Sequence, residues 1–276
     1  MIRVGIRAHD VGKLPADELA GRIAAKGLTC VQLAVNKAIA GMNLKAGDMT
    51  PGLAWHIAQA FNRHAVQIAV LGCYVNLSHP DPAARRGLME LFKEHLCHAR
   101  DFGCGVVATE TGSLNPDWSY HPENKSDAAF AGLIPTVAEL VAEAERFGVV
   151  LGIEGVTSHV LCSPRRIRQL LDAVASNNLR VVFDPVNLLS IENYRDQDRV
   201  IQESFDLFGD RIAVVHAKDF VVGDNTLKQV RSGQGSLNHK LLMDFLRQRK
   251  PCISILLEEA NEQTAEECVR FLNGVP

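Results

Sequence analysis

The chain has 276 residues, 47% hydrophobic and 22% charged, which is enough apolar material for one large core and too much for a disordered polymer. Lys and Arg number 29 against 32 Asp and Glu, a formal net charge of −3, so the overall basic field needed for a non-specific grip on nucleic acid is missing. No stretch approaches the roughly 20 apolar residues that cross a bilayer, and charge interrupts the opening MIRVGIRAHD where a signal peptide needs an apolar run. The 7 cysteines are odd in number and include no CxxC pair, which reads as reduced, mostly buried thiols. The expectation is a cytoplasmic protein with neither nucleic-acid nor membrane partners.

Strand-length apolar runs alternate with longer helical patterns. The first strand is expected over Ile2 to Arg7, followed by a helix from Pro15 to Lys26 whose Leu19, Ile23 and Ala24 share a stripe. The second strand spans Leu28 to Ala34. A Gly- and Asn-rich loop then leads to a helix from Pro51 to His64, with proline at the first turn. Strand three is Val66 to Cys73, and its helix runs from Asp81 to about Phe102. Strand four is Gly105 to Glu110, followed across a polar loop by a helix from Asp127 to Phe147.

The second half keeps this rhythm. Strand five is Val149 to Glu154, and Ser163-Pro164 opens a helix ending near Ala175. Strand six is Leu179 to Asp184, with a helix from Asp198 to Phe208. Strand seven is Ile212 to Ala217, and Ser236 is expected to open the next helix, to Arg249. Strand eight is Cys252 to Glu258, and the last helix covers Thr264 to Leu272. Eight strand–helix units without a break in composition predict an α/β fold, a single (β/α)8 TIM barrel over residues 1–276. The rival doubly wound sheet would carry a glycine-rich phosphate turn after the first strand, where Arg7-Ala8-His9-Asp10-Val11-Gly12 stands instead.

Active residues of such a barrel come from the C-terminal strand ends. Strand four ends at Glu110, and strands five to eight end at Glu154, Asp184, His216 and Glu258-Glu259. Buried ionised groups are costly unless paired or metal-bound, and four metal-capable side chains on neighbouring strands can converge on one cation. A set of three carboxylates and one imidazole is hard and oxygen-rich. It suits Mn2+, with Mg2+, Co2+ or Zn2+ as alternatives, better than it suits a thiolate-type structural zinc site.

These residues carry a family resemblance. In the motifs IEG (Ile153 to Gly155), FDPVN (Phe183 to Asn187), HAKDF (His216 to Phe220), SGQGSLNHKLL (Ser232 to Leu242) and LLEE (Leu256 to Glu259), the chain resembles the xylose-isomerase-like TIM-barrel superfamily of sugar and sugar-phosphate isomerases and epimerases, including the ketose 3-epimerases. The resemblance implies one divalent ion on Glu154, Asp184, His216 and Glu258, with Glu258 preferred to Glu259 as the first acid after its strand. It also implies proton movement next to a ketose carbonyl through a metal-stabilised enediolate, with Glu154 and Glu258 as the acid/base pair. Substrate contacts are expected from Asn187, which stands where the ketose 3-epimerase branch has a histidine, and from Lys218, His159, His79, Glu110 and Asn76. The implied partner is a small sugar or sugar phosphate, and a homodimer or tetramer is expected by the same resemblance.

Alternatives on the same metal set are a sugar-phosphate isomerase, a hydroxypyruvate isomerase and an inosose-dehydratase-type lyase. An abasic-site endonuclease on this fold needs three zinc ions and a histidine where Asn187 stands. A non-catalytic sugar-binding barrel has no use for both Glu154 and Glu258. Gly233-Gln234-Gly235 is weighed as a phosphate cradle against a plain flexible loop.

Overall fold

The computed structural model describes residues 2–276. Eight parallel strands close into a barrel: β1 (Arg3–Arg7), β2 (Cys30–Leu33), β3 (Gln67–Gly72), β4 (Val106–Glu110), β5 (Val150–Glu154), β6 (Leu179–Phe183), β7 (Ile212–Ala217) and β10 (Ser254–Leu257). Neighbours follow chain order, and β10 closes the ring between β7 and β1. The expected (β/α)8 barrel is therefore the observed one.

Helices α1 (Ala8–Val11), α2 (Ala16–Ala25), α3 (Val35–Ala38), α4 (Pro51–Arg63), α5 (Pro82–His98), α6 (Asp127–Phe147), α7 (Pro164–Val174), α8 (Gln197–Phe208), α9 (His239–Arg249) and α10 (Ala265–Gly274) complete the units. Local chemistry fixes their starts. The side chains of Thr50, Asp81, Ser126 and Ser163 accept backbone N–H groups of the first turns of α4, α5, α6 and α7, and Pro51, Pro82 and Pro164 occupy first-turn positions. Gly148 ends α6 in the left-handed region at φ 62°, a conformation that costs glycine little.

The structure adds one element and corrects one expectation. The segment after the seventh barrel strand is a β-hairpin, β8 (Asp219–Gly223) with β9 (Thr226–Val230), turning at Asp224 and Asn225, both at positive φ. The following helix opens at His239, not Ser236, because the Asn238 side chain accepts from Leu241 N and supplies the cap. Among the described residues no helix is long and apolar enough to cross a membrane.

Two cores follow from the alternation of strand side chains. The larger lies between barrel and helices and includes Ile6, Leu33, Phe61, Phe92, Leu151, Phe183 and Leu257. The smaller fills the lumen with Cys30, Val70, Ala108, Val182, Val214 and Leu256, one from each of six strands. On β1 the lumen admits only glycine, and on β5 a side chain would be tight. A Cβ on Gly5 would lie 2.1 Å from the Cys30 carbonyl oxygen, and one on Gly152 would lie 3.0 Å from Val182 Cγ2.

This layer sets the site, because two residues further along a strand the side chain again points inward. From Gly5, Cys30, Ala108, Gly152, Val182, Val214 and Leu256 that step reaches Arg7, Gln32, Glu110, Glu154, Asp184, His216 and Glu258. An apolar lumen thus ends in a polar ring. The clash at Gly5 is with backbone, which no rotamer relieves, so Gly5→Ala should lower the unfolding free energy by about 3 kcal/mol. Denaturant melting checks this, and a loss below about 0.5 kcal/mol would contradict the packing described.

Candidate active site

At the C-terminal rim Glu154, Asp184, His216 and Glu258 each offer a ligand atom within 4.8 Å of the others. All four are buried, with His216 fully enclosed. Among the described residues they are the one such group of three or more metal-capable side chains. Glu258 turns inward, whereas Glu259 is exposed at φ 56°.

His216 links the two glutamates, its Nδ1 lying 3.0 Å from Glu258 Oε1 and 3.3 Å from Glu154 Oε1. Its Nε2 donates to Gln32 Oε1 at 2.9 Å, and Gln32 Nε2 donates to the Tyr74 hydroxyl. Gln32, fully buried at the end of β2, therefore fixes the ring so that Nδ1 faces the carboxylates. Burial disfavours the imidazolium, but Glu154 and Glu258 outweigh burial and push His216 up to about 10.

Lys218, directly after β7 and two residues beyond His216, is 2% exposed, and its Nζ lies 2.9 Å from both Asp184 Oδ2 and Glu258 Oε2. Arg7 Nη1 reaches Glu258 Oε1 at 3.2 Å. Three carboxylates thus face three cationic groups: His216, Lys218 and Arg7. Burial would raise the Glu258 carboxyl, yet His216 and Lys218 hold it well below the usual range. Burial dominates at Asp184 and pushes it up to about 6 against the pull of Lys218.

Glu154 is held differently. Asn187 Nδ2 donates to its Oε1 at 2.7 Å, and Gln229 Nε2 of the hairpin donates to Asn187 Oδ1 at 3.1 Å. All these contacts fall on Oε1, so among the described residues Glu154 Oε2 takes no hydrogen bond.

The quartet fits a divalent cation. Asp184 Oδ2 is buried and makes no hydrogen bond; its contact is the 2.9 Å ion pair with Lys218, whose place a divalent ion would take. The donors are hard, and the His216 ring already donates through its far nitrogen, as metal-bound histidines do.

The other expected residues are placed as follows. Glu110 is paired in register with Glu154, and its Oε2 lies 3.2 Å from His159 Nδ1. Burial, reinforced by Glu154 and Glu258, pushes Glu110 up to about 8, and burial drives His159 down to about 4. The His159 and Trp118 rings pack in a T-shaped pair, their centroids 5.5 Å apart. Asn76 braces loops: its amide donates to the Ser113 and Asn115 carbonyls, and its Oδ1 accepts from Ser78 N and Ser113 N. His79 Nδ1 accepts from Asp81 N in the turn before α5, apart from the quartet. Asp219 is tied to the loop after the hairpin, accepting from Gly233 N and Leu237 N, and this leaves Lys218 to the quartet. Gly233 N is thereby engaged within the chain, so the glycine pair forms a packed loop. Arg7, Gln32, Tyr74 and Gln229 were not expected from sequence. The strand-end rule applied to β1 and β2 would have found the first two.

The sequence matches the family described as xylose isomerase-like TIM barrel over residues 10–274, and the chain belongs to that family. No curated protein matches it. Among solved structures it is similar to D-psicose 3-epimerase with D-tagatose from Clostridium cellulolyticum H10, with 13% identity, 99% of each chain covered and TM-score 0.75. It is also similar to the probable 3-DHS dehydratase AsbF from Bacillus anthracis, with 13% identity, 100% of each chain and TM-score 0.76. A third is the IOLI protein with a binding zinc atom, with 14% identity, 99% of this chain and 96% of that one, and TM-score 0.74. Structural neighbours of this fold thus include epimerases and a dehydratase.

A histidine pushed up to about 10 carries its proton at neutral pH, and ligation through Nδ1 must release it. Divalent-metal affinity should therefore rise by about tenfold per pH unit between about pH 6 and 9. Competition with a calibrated chelator across that range checks this, and a flat profile would contradict the assignment of His216.

Proposed function

We propose that the chain is a divalent-metal-dependent carbohydrate epimerase or isomerase that moves a proton next to a ketose carbonyl. The observation that carries this reading is the convergence of Glu154, Asp184, His216 and Glu258 within 4.8 Å at the barrel rim, beside an open cavity. Held by these four, a divalent ion supplies Lewis-acid polarisation of adjacent carbonyl and hydroxyl oxygens and so acidifies the neighbouring carbon-bound hydrogen. The oxygen-rich set suits Mn2+, with Mg2+, Co2+ and Zn2+ as alternatives.

The chain's own groups divide the proton work. Glu154 and Glu258 come from the outer strands of the run β5, β6, β7, β10, so they face the site from two sides. Glu154 has its Oε1 fixed by Asn187 and its Oε2 without a hydrogen bond, the arrangement of a base ready to accept. Glu258 is pinned through both oxygens by His216, Arg7 and Lys218, and with Lys218 it forms the hydrogen-bonded pair that returns a proton on the other side. Return to the same carbon inverts it, and return to the neighbouring carbon interconverts aldose and ketose. Loss of a hydroxyl next to the deprotonated carbon would make the same base serve a dehydratase. The cluster has four ligand side chains, and Asn187 stands where a three-zinc endonuclease needs a further histidine, which favours this class over that one.

Deuterium uptake from heavy water into a ketose panel, with Mn2+ saturating, tests the proposal. Exchange should appear with the native chain, vanish with chelator, and fall by about a thousandfold in Glu154→Gln with the thermal melt retained. Exchange within tenfold of native in that variant would remove Glu154 as base.

A further inference from the structure

Asn187 is buried in the short turn that follows β6. Its backbone is fixed there, because its own N–H and that of Val186 both donate to Asp184 Oδ1. Those bonds do not fix its amide. The last torsion of an asparagine has two broad settings that exchange its oxygen and its nitrogen, and the partners on either side choose between them. The choice matters to Glu154. A carboxylate that holds a metal is ionised and only accepts, so Asn187 Nδ2 has to face it, as it does at 2.7 Å. The opposite setting would put Asn187 Oδ1 against Glu154 Oε1, two acceptors in contact.

The second partner of that amide comes from the hairpin. Gln229 Nε2 donates to Asn187 Oδ1 at 3.1 Å. Gln229 stands opposite Phe220 in the β8–β9 register, and directly opposed residues of an antiparallel pair share a face. Phe220 is fully buried and packs edge-on with Tyr194, ring centroids 6.2 Å apart, so that face is turned inward. Lys228, the neighbour of Gln229, alternates to the other face. Asp219 closes the base of the hairpin by accepting from Phe220 N, Gly233 N and Leu237 N. A largely exposed strand, anchored at its base, thus carries one donor inward to a buried amide.

Resting on the reading of Glu154 as base, we propose that Gln229 is a positioning residue for it. Donation from Gln229 to Oδ1 holds Asn187 with Nδ2 towards Glu154, which anchors Oε1 and leaves Oε2 to take the substrate proton. Gln229 acts through Asn187. The position requires a donor, not an amide as such. A side chain that only accepts would draw Nδ2 to itself and turn Oδ1 on Glu154.

The test pairs deuterium exchange with neutron diffraction, both on the Mn2+-loaded full chain. With a ketose that the native chain exchanges, Gln229→Glu should lower kcat by about a hundredfold, the order of one hydrogen bond to a charged group. KM and Mn2+ affinity should stay within about threefold, because the loss falls on the proton step alone. Gln229→Lys restores a donor and should exchange within about fivefold of native. Lys228→Glu changes the charge more but on the other face, and should leave exchange within about twofold. Neutron maps of deuterated crystals distinguish ND2 from oxygen. They should show Asn187 Nδ2 towards Glu154 in the native chain and the amide reversed in Gln229→Glu. A native kcat in Gln229→Glu, an equal loss in Gln229→Lys or Lys228→Glu, a loss carried by KM or metal affinity, or an unreversed amide would each overturn the proposal. Exchange of no ketose by the native chain would remove the proposed reaction, and the neutron maps would still uphold or overturn Gln229 as the residue that sets Asn187.

Discussion

Three carboxylates buried at one rim of a closed barrel are a heavy electrostatic burden, and the surrounding architecture is arranged to carry it. An isolated buried carboxylate is strongly disfavoured, and breaking a buried pair costs about 3–5 kcal/mol. Here His216, Lys218 and Arg7 supply three positive charges at contact distance, so the polar ring is close to neutral although it sits on an apolar lumen. The same cations decide which oxygens are free. Glu258 is held through both oxygens and Glu154 through one, so two chemically identical side chains enter any reaction in different states.

Much of this was legible in the sequence because acids at the ends of Val/Ile-rich runs are conspicuous. Glu154, Asp184, His216 and Glu258 each interrupt an apolar strand at its C-terminal end, and the βα rhythm then places them on one rim. Arg7 and Gln32 obey the same inward alternation and the same strand-end rule, but they belong to residue types that ordinarily face solvent and are not metal ligands, so they do not stand out. Tyr74 lies beyond the end of β3, outside any strand-end rule. The hairpin was hidden for a related reason: Thr226, Lys228 and Gln229 are exposed, so β9 lacks the apolar face that announces a strand. The start of α9 was misplaced because Ser236 and Asn238 are both good caps, and only the tertiary pull of Asp219 on Leu237 N decides between them.

The rim divides into two halves with different tasks. The β5, β6, β7 and β10 half holds the charged quartet, and the fold shared with epimerases and a dehydratase at 13% identity is a scaffold that can present such a set. The β1 to β4 half forms the wall of a cavity lined by Lys37, Tyr74, Glu110 and Trp118. Gln32 and Arg7 join the halves, the first through His216 and the second through Glu258.

The most direct test of the central claim is anomalous X-ray diffraction from crystals of the full chain grown with Mn2+. The account predicts one strong peak bounded by Glu154, Asp184, His216 and Glu258, with the His216 ring still donating to Gln32. A peak elsewhere, or none, with the Lys218 ammonium still bridging Asp184 and Glu258, would contradict it.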